Sequence, residues 1–298
     1  MKITPTIPAK TIVHKTKGSW FGADYNMNIY RGCSHGCIYC DSRSDCYKNT
    51  DFDIVKAKEN ALQIIRDELR RKAVSGVITT GSMSDPYNPA ECELKLTRHS
   101  LELINAFGFG VGIFTKSNLV VRDIDVLQDI KAHSPTTVNI TVTTADDELC
   151  KKVEPNVAAS SERFEALRNL AESGIFCGVL LMPVLPFIND TEENIIQILR
   201  RTKEAGGRFV YPAFGMTLRQ GNREYYYDQL DKQFPGMDIK ERYIKRYGLR
   251  YHCPSPKAKK LWALFTAECE RLGLLYDMKA ITLHMKSGYG NRNPLSLI

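Results

Sequence analysis

The sequence predicts an α/β protein in which parallel strands alternate with helices around a closed or partly closed barrel. Short segments rich in Val, Ile, Phe and Thr alternate with stretches whose apolar residues have helical spacing. About six such strand–helix units can be counted, and six or more units favour a barrel over an open sheet. With 298 residues, 43% of them hydrophobic, the chain can also bury a core of this size.

The predicted strands are bounded by Gly, Pro, Ser or Asn and follow one another at regular intervals. They cover residues 26–31, 76–82, 110–116, 137–144, 176–184 and 208–214. From about residue 222 the alternation stops and longer helical patterns take over. The sequence therefore predicts an N-terminal extension over 1–25, a barrel over 26–221 and a mostly helical C-terminal extension over 222–298 packed on the barrel.

Helices are predicted from apolar spacing and from capping residues. The apolar residues with this spacing after the first two strands are Leu62, Ile65, Leu69, Leu101 and Ile104. Asp190-Thr-Glu-Glu193 predicts a helix start and Gly206-Gly207 its end. Leu261, Phe265 and Leu272 predict a long helix in the C-terminal extension.

The lack of a recognisable targeting segment and the distribution of charge limit the classes of protein to which this chain can belong. The N-terminus has no apolar run, and no stretch of ~18 apolar residues occurs, so we expect a cytoplasmic protein without a membrane span. The net charge is +7, and residues 226–298 hold 13 basic and 7 acidic side chains. A phosphate-rich partner is one interpretation of this excess. Solvated helix faces are the simpler one, so charge alone does not indicate nucleic-acid binding.

Three of the nine cysteines lie close together, in Cys33-Ser-His-Gly-Cys37-Ile-Tyr-Cys40. An odd number of cysteines without a secretory signal argues against a disulfide framework. Gly32 and Gly36 allow the tight turns that bring three thiolates together. Three ligands without a fourth in register suit a cubane iron–sulfur cluster with one open iron. A zinc site completed by Cys46 or His35 is the alternative.

The motif Cys33-x3-Cys37-Ile-Tyr39-Cys40 resembles the signature of the radical S-adenosylmethionine (radical SAM) superfamily. The chain also resembles its spore-photoproduct-lyase-related branch in these segments: Asn28-Ile-Tyr30-Arg31-Gly32-Cys33, Gly81-Ser-Met-Ser-Asp85-Pro-Tyr87, Thr115-Lys116-Ser117, Asn139-Ile-Thr141-Val-Thr143-Thr144 and Met182-Pro183-Val-Leu-Pro186-Phe-Ile-Asn189-Asp190. The resemblance covers about residues 12–215. It implies a partial (β/α)6 TIM-like barrel, a [4Fe–4S] cluster on the three cysteines, and reductive cleavage of S-adenosylmethionine to a 5′-deoxyadenosyl radical that abstracts hydrogen from a substrate.

The same resemblance implies cofactor-binding roles for five further residues. Tyr39 is expected against the adenine, and Ser84 and Asp85 at the methionine end of S-adenosylmethionine. Lys116 is expected at the charged end of the cofactor, and Thr143 at its ribose or carboxylate. Each of these residues has a plainer interpretation. Tyr39 could pack in the core, and Ser84 and Asp85 could cap a turn. Lys116 could be a solvated surface lysine, and Thr143 an ordinary strand threonine.

Ser82 departs from the pattern of spore photoproduct lyase, in which the corresponding position is the cysteine that returns hydrogen to the product. A hydroxyl O–H bond is too strong for an easy transfer, so the substrate and the catalytic hydrogen donor stay open. The alternatives are a non-catalytic zinc or iron–sulfur module, and a DNA-lesion repair lyase that uses the basic region 240–260. We expect a reductant of the flavodoxin or ferredoxin type and allow nucleic acid as substrate.

The remaining cysteines predict one cluster per chain. A second cubane needs at least three converging thiolates, and beyond residue 177 the sequence has only Cys253 and Cys269. Cys269 is expected as a small buried apolar residue of a helix, and Cys253 as a loop thiol near the barrel mouth.

Overall fold

The computed structural model describes residues 4–18 and 20–289. Its strands, in chain order, are β1 (Thr6–Ile7), β2 (Val13–Lys15), β3 (Tyr25–Met27), β4 (Tyr30–Arg31), β5 (Lys56–Lys58), β6 (Val77–Thr80), β7 (Gly110–Thr115), β8 (Thr136–Thr141), β9 (Phe176–Leu181), β10 (Phe209–Pro212), β11 (Gly215–Thr217) and β12 (His252–Pro254). Its helices are α1 (Ala61–Arg70), α2 (Glu91–Leu94), α3 (Leu96–Ala106), α4 (Ile124–Lys131), α5 (Asp147–Val153), α6 (Ser160–Glu172), α7 (Glu192–Glu204), α8 (Asn222–Gln233), α9 (Ile239–Tyr247), α10 (Ala258–Leu272) and α11 (Met278–Lys286).

A seven-stranded sheet in the order β10-β9-β8-β7-β6-β3-β2 forms the centre of the molecule. Six of these strands, β3 and β6 to β10, are parallel to their neighbours, and β2 adds an antiparallel edge. Helices connect the parallel strands, as right-handed crossovers require. The predicted α/β class and the partial barrel of six strand–helix units are therefore confirmed.

Helices cover the sheet and bury it. Every residue of β6, β7 and β8 is buried, which explains why these strands appear in the sequence as continuous apolar and Thr-rich segments. Predicted helix features are also observed: Ile65 and Leu69 are buried on α1, and the Thr191 side chain caps α7 by accepting from Asn194 N at 3.2 Å.

All six predicted strands end earlier in the structure than expected, and two of them end where the chain turns toward the site. The strand predicted at 26–31 is split, because the chain leaves the sheet after Met27 and residues 30–31 pair antiparallel with β5. The strand predicted to reach 144 ends at Thr141. Beyond it, the Thr143 carbonyl accepts hydrogen bonds from the Asn189 and Asn194 side chains instead of continuing the ladder.

The predicted extensions contribute to the sheets and to the core. β1 pairs with β5, and β12 pairs with β11 in a two-stranded ribbon. On α10, Leu261, Phe265 and Cys269 belong to the same hydrophobic core as the barrel strands. The boundaries predicted after residues 25 and 221 remain predictions, and residues 1–3 and 290–298 of these extensions lie outside the described residues. In the described part of the chain, no helix is long and apolar enough to cross a bilayer.

Candidate functional site

The segment 32–40, here called the cysteine loop, follows β4 and carries all three clustered cysteines. Gly32 has φ +79°, and a Cβ there would lie 2.3 Å from the Ile54 carbonyl oxygen. Gly36 has φ +68°, and a Cβ there would lie 3.0 Å from Asn156 Nδ2. Both glycines are therefore required by positive φ and close approach, as the sequence predicts.

The last residue of α5 and the segment that follows it hold the middle of the cysteine loop in place. Ile38 N donates to the Val153 carbonyl at 3.0 Å, and Asn156 N donates to the His35 carbonyl at 3.1 Å. The Asn156 side chain donates to the Ser34 carbonyl, also at 3.1 Å. The loop is thus fixed to a segment more than a hundred residues away in the sequence.

All nine cysteines are free thiols, and those at 33 and 37 are buried. Burial raises the pKa of Cys33 to about 11, and the Asp85 carboxylate acts in the same direction. Burial also holds the pKa of Cys37 well above its ordinary value. Bound iron would replace these protons, because metal ligation requires the thiolate. Three free thiols on one glycine-shaped loop are a donor set that fits a [4Fe–4S] cluster.

The two residues considered as fourth zinc ligands, His35 and Cys46, each contact another side chain. His35 Nδ1 lies 3.5 Å from Asp85 Oδ2, and the exposed Cys46 has its Sγ 3.7 Å from Arg219 Nη1. Within residues 4–18 and 20–289, no three His, Cys, Asp or Glu side chains are grouped to bind a single metal ion. A zinc site needs such convergence on one ion, whereas in a cubane each thiolate binds a different iron.

A cavity of about 570 Å³ opens beside the cysteine loop. Tyr39 and Cys40 form part of its wall, together with Ser82, Met216 and Cys253. Its other walls are mostly apolar. The size suits a drug-sized organic ligand, and a mostly apolar lining with a few polar groups is typical of cofactor and substrate sites.

Asp85 lies in the turn after β6, next to His35 of the cysteine loop, and it bonds to its own turn and to the end of β7. Its Oδ1 accepts from Tyr87 N at 2.9 Å and Thr115 Oγ1 at 2.7 Å, and its Oδ2 accepts from Lys116 N at 2.8 Å. Ser84 Oγ donates to the Gly32 carbonyl. The Tyr87 contact is the turn capping that was the plainer interpretation of Asp85, whereas the Ser84 hydroxyl bonds to the cysteine loop instead of capping a turn. Their role toward the cofactor stays a prediction.

Lys116 follows β7 and extends toward the cysteine loop. Its Nζ is 5.7 Å from the centre of the Tyr39 ring. Burial by itself lowers the pKa of Lys116, but Cys37 and Glu154 outweigh burial and raise it. The ammonium group is therefore charged and close to the predicted cluster ligands, which is not the environment of a solvated surface lysine.

Tyr39 and Thr143 meet at a buried carboxylate that the sequence analysis missed. Both hydroxyls donate to Glu154 Oε1, Thr143 at 3.3 Å. Arg163 Nη2 lies 2.6 Å from Glu154 Oε2, and both side chains are 0% exposed. No sequence motif identifies this pair. Glu154 follows the last residue of α5, and Arg163 is one of several polar residues of α6.

The remaining cysteines are placed as follows. Cys269 is buried on α10 and packs in the main core, as expected. Cys253 is buried in the ribbon strand β12 rather than in a loop, and it contributes to the cavity wall. Ser82, at the position discussed for hydrogen return, also lines the cavity and accepts from Asn26 Nδ2 at 3.1 Å.

Comparison with known proteins agrees with this site. The family model described as "Radical SAM superfamily" matches residues 27–208, which include the cysteine loop, the last residue of β3 and all of the parallel strands β6 to β9. The chain belongs to the radical SAM superfamily. Enzymes of this superfamily use a [4Fe–4S] cluster and S-adenosylmethionine, so the expected cofactors and the recognised family are confirmed.

Relatives of this radical SAM chain occur in bacteria and archaea. An uncharacterized protein of Mycobacterium tuberculosis is 31% identical over 231 residues, which cover 75% of this chain and 68% of the relative. An uncharacterized protein of Methanocaldococcus jannaschii is 35% identical over 189 residues, covering 62% of this chain and 69% of the relative.

Among solved structures, the fold is similar to that of spore photoproduct lyase. A variant of that enzyme with bound AdoMet and dinucleoside spore photoproduct superimposes with a TM-score of 0.63 at 15% identity, covering 89% of this chain and 79% of that chain. At this identity the likeness shows a shared fold, and it leaves the substrate of this radical SAM chain open.

Proposed function

We propose that this chain binds a [4Fe–4S] cluster through Cys33, Cys37 and Cys40 and cleaves S-adenosylmethionine reductively at the adjoining cavity. The observation that carries the proposal is the position of Cys40 and Tyr39, which belong to the cysteine loop and also to the cavity wall. When bound, the cluster supplies the electron that converts S-adenosylmethionine to methionine and a 5′-deoxyadenosyl radical, which abstracts hydrogen from a substrate.

The residues of the chain prepare the site for this chemistry. Tyr39 offers a ring face to the adenine, and Lys116 offers a cation to the carboxylate of the methionine end. Ser84 and Asp85 are proposed to bind the methionine end of S-adenosylmethionine, and Thr143 its ribose or carboxylate. The mostly apolar walls exclude water from the reacting groups. A reductant of the flavodoxin or ferredoxin type and a cytoplasmic location belong to the same proposal, whereas the substrate and the hydrogen donor are left open.

The test is anaerobic reconstitution followed by reduction with dithionite in the presence of S-adenosylmethionine. We expect about four irons per chain and slow formation of 5′-deoxyadenosine without added substrate. Cys33→Ala, Cys37→Ala and Cys40→Ala should each lose the cluster, while Cys269→Ala should keep the full iron content. Stoichiometric zinc without iron, or iron without 5′-deoxyadenosine, would leave a non-catalytic module.

Lys116 can be tested in the same preparation by equilibrium binding of S-adenosylmethionine. Lys116→Ala should keep the iron and weaken S-adenosylmethionine binding by about tenfold or more, because a hydrogen bond between charged groups is lost. The exposed Lys232→Ala serves as the matched control and should bind as the wild type does. Equal affinities of the two variants would show that Lys116 does not contact the cofactor.

A further inference from the structure

The buried carboxylate of Glu154 joins three parts of the chain next to the cysteine loop. Its Oε1 accepts hydrogen bonds from the Tyr39 and Thr143 hydroxyls, and its Oε2 is paired with Arg163. Glu154 and Arg163 are both fully buried. Such a pair persists only when each charge is neutralised and hydrogen-bonded, so its geometry is tightly determined.

Arg163 anchors this carboxylate to the barrel. Its Nε donates to the Ala158 carbonyl and its Nη1 to the Thr141 carbonyl, both at 2.8 Å. Arg163 lies on α6, and its guanidinium is thus held by the segment just before that helix and by the end of β8. Glu154 therefore transmits the position of two rigid elements to any group bonded to its carboxylate.

The group bonded to it from the cysteine loop is Tyr39, which stands between Cys37 and Cys40. The backbone on either side of Glu154 also holds this loop, through the Val153 carbonyl and the Asn156 amide. Tyr39 is 6% exposed, and its ring forms part of the cavity wall. Its hydroxyl donates to the Glu154 carboxylate, which is not among the residues that line the cavity, so the ring orientation depends on that bond.

We propose that Glu154 is a positioning residue for S-adenosylmethionine: its carboxylate, fixed by Arg163, orients the Tyr39 ring and holds the cysteine loop in the shape that the cofactor meets. This inference rests on the proposed function, because it assigns the Tyr39 ring face to the cofactor. Glu154 acts through Tyr39 and does not itself touch the cofactor.

Glu154 also places a negative charge beside the cysteine loop. Reduction adds an electron to the cluster, and a nearby carboxylate disfavours the added charge. Replacing Glu154 by a neutral amide should therefore shift the midpoint potential of the cluster to more positive values. This shift tests whether the carboxylate charge lies close to the cluster, whereas the affinity measurements test its positioning role.

The principal test is a double-mutant cycle with Glu154→Gln and Tyr39→Phe, read out as the dissociation constant of S-adenosylmethionine. Each single variant should weaken binding by about tenfold or more, the range typical of residues that orient ligand-binding groups. The double variant should bind S-adenosylmethionine about as tightly as the single variant with the lower affinity, because Glu154 acts through the Tyr39 hydroxyl. Independent, multiplying effects would overturn the proposal.

The chain offers a matched control in Glu91. This carboxylate is also 0% exposed, accepts a hydrogen bond from Tyr30 Oη and lies 2.8 Å from Arg122 Nη2. Glu91→Gln should leave both the S-adenosylmethionine affinity and the midpoint potential unchanged. Equal effects from Glu91→Gln and Glu154→Gln would mean that any loosening near the loop has the same result, and the positioning role would be wrong.

Glu154→Asp keeps the proposal testable if Glu154→Gln does not fold. The shorter side chain keeps the charge but not the reach to Tyr39, so affinity should fall while the potential stays close to that of the wild type. Unchanged affinity in Glu154→Asp would overturn the proposal.

Hydrogen exchange separates this proposal from the proposed function, because it is measured on apo-protein. The amides of residues 36–40 should exchange faster in Glu154→Gln than in the wild type or Glu91→Gln. If the wild type forms no 5′-deoxyadenosine, the proposed function fails whatever the exchange shows. Unaltered exchange in Glu154→Gln would show that the carboxylate does not hold the loop.

Discussion

Two buried groups, each made of a tyrosine, a glutamate and an arginine, lie next to the cysteine loop. They contain the same residue types but have different roles. At the start of the loop, Tyr30 donates to Glu91, which pairs with Arg122. The other group is Tyr39–Glu154–Arg163, in which Tyr39 lies within the loop itself. Both carboxylates are 0% exposed, so burial does not distinguish them.

The difference lies in the neighbours of each carboxylate. Glu91 also accepts from the backbone of Thr97 at 2.9 Å, which fixes α2 to α3, and its Arg122 is shared with Asp123. Arg122 is 23% exposed, so water reaches it. The Tyr30–Glu91–Arg122 group thus holds helices together.

Glu154 has neighbours that belong to the candidate site. It lies among the groups that raise the pKa of Cys37 and Lys116. Burial by itself raises the pKa of Glu154, but Arg163 and Lys116 outweigh burial and lower it, so the carboxylate is ionised at neutral pH. Identical sets of side chains therefore serve the fold or the site according to the groups that the fold places beside them.

The largest expected effect follows from removing each carboxylate. Glu154→Ala should lower the free energy of unfolding by about 3–5 kcal/mol, because the buried Arg163 is left without its partner. Glu91→Ala should lower it by less, because Arg122 is partly exposed. Glu154→Ala should have the larger effect, since Arg122 retains Asp123 as a counter-ion and Arg163 has no second carboxylate in the contacts described. Urea unfolding of the apo-proteins measures both. A larger loss in Glu91→Ala would contradict this order.

A smaller effect is expected from removing each phenol. Tyr39→Phe and Tyr30→Phe should each lower the free energy of unfolding by about 1.5–3 kcal/mol, the usual contribution of a hydrogen bond to a charged group. The two losses should be similar, because both phenols donate to a fully buried carboxylate. Thermal and urea unfolding of the two apo-variants check this. A Tyr39→Phe variant as stable as the wild type would mean that its hydroxyl bond adds nothing to the fold.

The smallest change in the free energy of unfolding is expected for Cys150→Ala, which also tests whether Cys150 is a cluster ligand. Its Sγ lies 3.2 Å from Arg163 Nη2 and 3.7 Å from Glu154, and no thiol holds the corresponding place in the other group. Cys150→Ala should lower the free energy of unfolding by about 1 kcal/mol through a small cavity, with full iron content after reconstitution.

The matched control for Cys150 is Cys92, the exposed cysteine next to Glu91. Cys92→Ala should change the free energy of unfolding by less than about 0.5 kcal/mol. Iron loss in Cys150→Ala, but not in Cys92→Ala, would show that the ligand set is wrong.

The sequence by itself determined the strands and the motif. Val- and Ile-rich segments with Gly and Pro boundaries predicted all six parallel strands, because a strand covered on both faces must be apolar along its length. The spacing of Cys33, Cys37 and Cys40 and the two glycines of the loop predicted the candidate site, because ligand type and turn geometry are local properties. Where strands end was predicted less well, as at Met27 and Thr141, since distant partners draw the chain away from the sheet.

Only the tertiary structure decided which charges stand beside that motif. Tyr39 and Glu154 are 115 residues apart, and Ser84 and Gly32 are 52 apart. Neither hydrophobic periodicity nor residue spacing predicts such pairs, because the local sequence around a buried glutamate does not differ from that around an exposed one. The pairing depends on the folding of β8, α5 and α6 against the cysteine loop. Burial then requires each charge to find a partner, and that requirement exists only in the folded protein.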